Sequence, residues 1–104
     1  MAKEVMQGDE YPISFKIKMQ GKPIDINTIE MVEFVLGEMV KKYPDIVYYD
    51  ADSSKFKVFL SQEETFAISK SIPVQVRVKF NSGDVVGEDL GTINIIKSLS
   101  KEVL

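Results

Sequence analysis

Apolar and polar side chains alternate with a period of two along most of this chain. Ile13, Phe15, Ile17 and Met19 are interleaved with Ser14, Lys16 and Lys18. Phe56, Val58 and Leu60 are interleaved with Lys55, Lys57 and Phe59, and Ile72, Val74, Val76, Val78 and Phe80 with Pro73, Gln75, Arg77 and Lys79. Successive side chains of a strand point to opposite faces, so each run predicts a β-strand with one face in a core and the other in water. Turn chemistry separates the runs. Gln20-Gly21-Lys22-Pro23 predicts a turn leading to a short extended piece, Ile24-Asp25-Ile26, and Asn81-Ser82-Gly83-Asp84 predicts a hairpin into Val85-Val86. A last strand is expected over Thr92 to Ile96. Pro73 donates no ladder hydrogen bond and belongs at the start of its strand or at a sheet edge. Ser61 and Glu64 form a capping-box pattern, which predicts one or two helical turns that place Phe66 in the core.

Residues 28–43 admit two readings. As a helix, Asn27 and Glu30 cap its start, Ile29, Val32, Leu36, Met39 or Val40 and Tyr43 recur at helical spacing, and Pro44 follows its end. As strands, Val32, Phe34 and Leu36 alternate with Glu33 and Val35, and Gly37-Glu38 turns the chain into a second strand over Met39 to Tyr43. Gly37 favours the strands, because glycine inside a helix costs about 1 kcal/mol relative to alanine but is natural in a turn. The fold class is thus an all-β sandwich of about seven strands with one short helical connector, the alternative being an α+β fold with a helix at about 28–43. Its core is expected to hold Ile13, Phe15, Ile17, Val32, Phe34, Phe56, Val58, Leu60, Val74, Val76, Val78 and Ile93.

Composition narrows the chemistry. The 104 residues, 44% hydrophobic and 28% charged, fit one ordinary folded domain, with no repeat or low-complexity linker. Neither Cys nor His is present. Thiol nucleophiles, thiolate or imidazole zinc sites and the usual imidazole base are therefore excluded. The net charge is −3, and Arg77 is the lone arginine among 13 basic residues, so no clustered positive field exists to attract nucleic acid. No apolar run reaches the length of a membrane span, and the N-terminus lacks the apolar segment of a signal peptide, so synthesis in a cytoplasm is expected.

Candidate sites are few. Asp50, Asp52 and Ser54 imitate the start of a calcium loop, but Lys55 stands where such a loop needs Gly and Ser61 where it needs Glu, which leaves a polar turn. Asp84, Glu88 and Asp89 form an acidic cluster among glycines and read as a solvated loop. Glu63 and Glu64 are adjacent in sequence, which does not set them across a cleft as acid and base, and they read as helix-start charges. No cofactor is implied, and enzyme activity is not expected. Apolar residues at outward positions are the more telling feature: Phe59, joined by Met31 and Val35 if residues 30–36 form a strand, make a candidate protein-contact surface. Tyr43, Tyr48 and Tyr49 are the alternative, stacking surfaces for sugar rings.

The order of short motifs carries a resemblance. Gly8-Asp9 precedes the first strand, Gly21-Lys22-Pro23-Ile24-Asp25-Ile26 follows it, Phe56-Lys57-Val58-Phe59-Leu60-Ser61-Gln62-Glu63-Glu64-Thr65 lies mid-chain, and a Gly-punctuated strand ends it. Over about Val5 to Lys97 this resembles the immunoglobulin-like domain of phage and prophage virion proteins, especially the N-terminal domain of baseplate upper proteins of phages infecting Gram-positive bacteria. The resemblance implies an antiparallel immunoglobulin-like β-sandwich. It also implies a non-catalytic assembly role in a tail or baseplate, with other virion proteins, or further copies of the chain, as partners and the virion as its location. Proteins of that family normally continue beyond this domain, so a free-standing accessory protein is as compatible with the sequence as a baseplate upper protein.

Overall fold

The computed structural model describes residues 3–10, 12–19, 22–68, 70–100 and 102–104. Its strands are β1 (Lys3–Met6), β2 (Pro12–Phe15), β3 (Lys18–Met19), β4 (Lys22–Pro23), β5 (Ile29–Leu36), β6 (Met39–Tyr43), β7 (Tyr48–Asp50), β8 (Lys55–Phe59), β9 (Ser71–Phe80) and β10 (Val85–Ile96). One short helix, α1 (Gln62–Phe66), joins β8 to β9. A five-stranded sheet in the order β1-β10-β9-β5-β6 faces a three-stranded sheet in the order β2-β8-β7, and β3 and β4 form a small ribbon. The chain changes sheet between β1 and β2, between β2 and β5, between β6 and β7, and between β8 and β9, so the successive hairpins β5–β6, β7–β8 and β9–β10 alternate between the layers. This is the connectivity of an immunoglobulin-like sandwich.

Residues 28–43 are not a helix. They are the β5–β6 hairpin, with Val35 opposite Val40 and Leu36 opposite Met39. Gly37 supplies the turn at φ +62, a left-handed conformation that side chains resist. A Cβ there would also press on Ile72 at 3.4 Å. Of the residues expected in the core, all but Phe66 are buried, from Ile13 and Phe15 on β2 to Ile93 on β10. The two layers are joined by aromatic rings. Phe34 of β5 lies 5.5 Å from Phe15 and 5.7 Å from Phe56, centroid to centroid, so a ring of the large sheet is wedged between two rings of the small one. With no Cys in the chain, this wedge, and no disulfide, joins the two sheets.

The structure corrects several expectations. Pairing is not antiparallel throughout, because β1 runs parallel to β10, from Lys3 opposite Ile93 to Met6 opposite Ile96. The run from Ile13 to Met19 is two strands. β2 pairs with β8 only as far as Phe15 opposite Phe56, and Ile17 stays buried while its carbonyl accepts the Ile24 N–H at 3.4 Å. Gln20 and Gly21 of the expected turn lie outside the described residues. Ile24-Asp25-Ile26 is not extended throughout: the Asp25 carboxylate accepts the Asn27 N–H at 3.0 Å and starts a turn of 3-10 helix over Ile26–Thr28. Pro73 meets the expectation for it by its place at the start of its strand, which is not a sheet edge. β9 is central, and the Pro73 carbonyl accepts the Gly37 N–H at 2.9 Å where β5 has ended, so its missing donor faces no ladder partner. Phe66 is half-buried against Gly8 and does not plug the core, whereas Thr65 beside it is completely buried.

The largest correction is at the C-terminal end. The segment expected as a hairpin arm, an acidic loop and a separate strand is one strand of 12 residues, β10, antiparallel to β9. A bulge between Asp89 and Gly91 explains the misreading. Val86 and Glu88 lie opposite the buried Val78 and Val76, whereas beyond the bulge it is Ile93 and Ile95 that face inward. The extra residue inverts the period-two parity, and Gly91 at φ +94 accommodates it.

Because Phe34 touches rings on both sides, Phe34→Ala is expected to lower unfolding free energy by about 3–5 kcal/mol in urea titration. That is a large share of the roughly 5–15 kcal/mol a domain possesses. A loss below about 1 kcal/mol would show that the wedge does not hold the layers together.

Candidate functional site

On the outer face of the small sheet, Pro12 lies opposite Phe59 and Tyr48 opposite Lys57. Phe59 is 45% exposed although its neighbours Val58 and Leu60 are buried. It shares a shallow depression of about 260 Å³ with Ile46, Glu10, Lys41 and Glu64. The apolar companion of Phe59 is therefore Ile46, from the segment before β7. Met31 and Val35 lie elsewhere. Both project from the outer face of the large sheet, two and six residues along β5 from the Ile29 end, with Glu33 between them and exposed Val40 beside Val35. The core separates them from Phe59, so the three residues form two surfaces on opposite sides of the sandwich.

The three tyrosines are likewise divided. Tyr43 and Tyr49 pack their rings on Phe56, at centroid distances of 5.3 and 4.9 Å, and belong to the rim of the core. Tyr48, one residue along β7, points outward and is exposed. Strand parity forces this split, because adjacent residues cannot share a face.

The acidic groups have local employment. The Asp50 carboxylate accepts the Asp52 N–H at 3.1 Å and the Ser53 hydroxyl at 2.9 Å, which closes the turn between β7 and β8. The Ser53 hydrogen bond is the main cause holding its carboxyl below the ordinary aspartate range, with backbone donors and Lys57 adding to it. Ser54 takes a positive φ of 56 in the same turn. Glu64 completes the capping box with Ser61: its carboxylate accepts the Ser61 N–H at 2.8 Å, while the Ser61 hydroxyl accepts the Glu64 N–H at 3.1 Å. Its other oxygen receives Lys41 of β6 at 2.8 Å, tying α1 to the edge of the large sheet. Asp84, Glu88 and Asp89 are exposed, and Glu88 and Asp89 are strand residues rather than loop.

A buried polar node was not legible from pattern. The Gln7 amide donates to the Phe66 and Ile68 carbonyls at 3.2 and 2.8 Å, and its carbonyl accepts the Ser98 N–H at 3.1 Å. The Thr65 hydroxyl accepts the Gly8 N–H at 2.9 Å. These bonds fasten the residues after β1 to the helical connector and to the end of β10. Nothing in the sequence singles out one glutamine for burial, since its partners are backbone groups distant in the chain.

Two further concave surfaces are lined in part by β5 residues. One, of about 560 Å³, lies at the end of the sandwich among Leu36, Met39, Glu64, Ile68 and Ile72. The other, of about 500 Å³, crosses the outer face of the large sheet, where Gly87 leaves a gap among Val35, Gln75, Arg77 and Asp89. Beside it runs the outer edge of β10, where Val85 and Val86 are 54% and 40% exposed. This edge is not legible in the sequence pattern, because the bulge conceals the strand. Among the described residues no helix is long and apolar enough to cross a membrane.

Burial pushes the Glu64 carboxyl up, but the Lys41 and Ser61 hydrogen bonds and the Lys41 charge outweigh it and leave its pKa lowered. A lowered folded-state pKa adds stability that is complete above the ordinary glutamate range and is lost as pH falls through the lowered value. Glu64→Gln is thus expected to cost about 1 kcal/mol in urea titration at neutral pH, with the gap to the parent closing under acid conditions. A gap that is independent of pH would show that the charge is not used. Compared with known proteins, the chain matches no family model, no curated sequence and no solved structure.

Proposed function

We propose that this domain is a non-catalytic contact module of a phage or prophage virion, a tail or baseplate component that acts by binding neighbouring proteins. The observation that carries the reading is the pair of outward apolar surfaces on opposite sides of one sandwich, Phe59 with Ile46 on the small sheet and Met31 with Val35 and Val40 on the large one. A unit with a contact surface on each side fits between two neighbours, which is what a repeated assembly demands of its parts. The immunoglobulin-like connectivity agrees with the virion domains that the sequence resembles. The converse reading, a carbohydrate-binding module, loses two of its three stacking rings to Phe56 and keeps Tyr48 alone.

Mass spectrometry of purified particles from a strain carrying the gene is expected to find the chain in stoichiometric amounts. Phe59→Asp is expected to reduce its incorporation about 30-fold, the loss of one interface anchor worth about 2 kcal/mol, while stability changes by no more than about 0.5 kcal/mol. Absence from particles, together with saturable glycan binding that Tyr48→Ala abolishes, would favour the carbohydrate reading instead.

A further inference from the structure

The large sheet ends in an unused edge. β1 covers β10 only from Ile93 to Ile96, and among the described residues no strand pairs with Val85–Asp89 on the side away from β9. The hairpin fixes which groups face outward. The Phe80 N–H donates to the Asp84 carbonyl at 2.9 Å, so bonded and non-bonded pairs alternate from there. Val85 opposite Lys79, Gly87 opposite Arg77 and Asp89 opposite Gln75 are the non-bonded pairs. The N–H and C=O groups of Val85, Gly87 and Asp89 therefore point away from β9.

We infer that this edge is a homotypic docking strand, which pairs antiparallel with the same segment of a second copy about a two-fold axis at Gly87. The inference deepens the contact-module reading and rests on it, since it names one of the partners. Its register follows from charge and from how many outward-pointing groups find partners. A two-fold axis perpendicular to the sheet keeps outer residues opposite outer ones, so the axis passes through a pair of identical residues. At Glu88 it sets two carboxylates together, and at Val86 it sets Asp84 against Glu88. At Gly87 it sets Val85 opposite the partner's Asp89 and Val86 opposite the partner's Glu88, with no like charges opposed. This register also puts the partner's Asp89 in the outer-face row that holds Val85 and Lys79, two strand spacings from the lysine. The three outward-pointing residues of each copy all meet outward-pointing residues of the other, so no edge group is left unpaired within the contact. The two glycines at the axis leave the outer face open where two arginines flank it. Edge pairing of this length buries little area, so the dimer is weak alone and gains from repetition in an assembly.

Sedimentation equilibrium of the full chain is expected to show a concentration-dependent dimer. Gly87→Pro removes only a donor that points away from β9 and is expected to weaken that dimer by about tenfold or more, with an unfolding midpoint close to the parent. Cross-linking provides a second test that does not depend on that variant. The chain has no cysteine, and bonded antiparallel partners lie about 5.5 Å apart at Cα, within disulfide reach. A Cβ at Gly87 meets only ordinary contacts, 3.7 Å from the Val76 carbonyl oxygen and 3.8 Å from Arg77, so Gly87→Cys fits. It is expected to give a covalent dimer on oxidation, whereas Ala51→Cys, in the exposed turn between β7 and β8, is not. A monomer at every concentration, a dimer indifferent to Gly87→Pro, or equal cross-linking at both positions overturns the inference. A monomer still found in particles refutes the edge pairing alone, and a dimer absent from particles refutes the virion reading alone.

Discussion

The wedge of Phe34 between Phe15 and Phe56 sets the terms for the whole molecule. Without a disulfide, the two sheets are held by burial, and burial demands that each strand send alternate residues inward. Once Phe34 is inside, Val32 and Leu36 are inside with it, and Met31, Glu33 and Val35 are outside. Once Phe56 is inside, Val58 follows and Phe59 must face water. The outward apolar residues are thus fixed in position by the core that excludes them.

Two devices join the ends of this sandwich where strands cannot. Gln7 and Thr65 satisfy backbone groups where the chain leaves β1 and passes from β8 to β9, and a buried polar group is tolerable because its partners are supplied. Glu64 serves both as the reciprocal member of the helix cap and as the acceptor for Lys41, so the connector is attached to the sheet it must reach. Carboxylates that look like candidate chemistry in the sequence are consumed by such local structural tasks, Asp50 in its turn among them.

What remains for function is the part of the surface that the core does not claim. Each sheet contributes an outer apolar cluster, and β10 contributes main-chain groups along an edge that β1 leaves uncovered. An outer face recognises side chains, whereas an edge recognises any extended backbone of suitable register. The acidic residues of β10 restrict the second mode, since Glu88 and Asp89 penalise registers that bring carboxylates together.

The sequence by itself determined the fold class, the greater part of the core and the outward position of Met31, Val35 and Phe59. Each follows from period-two alternation, which is local, and Gly37 tipped residues 28–43 toward strands, a choice that the β5–β6 pairing decided. The tertiary structure decided which outward residues share a surface. It parted Phe59 from Met31 and Val35, gave Phe59 the companion Ile46, and turned Tyr43 and Tyr49 inward. It alone joined the acidic segment to the last strand, because one inserted residue at the bulge inverts the alternation and hides a continuous strand from any pattern of period two. Facing and pairing are relations between distant segments, and no run of neighbouring residues contains them.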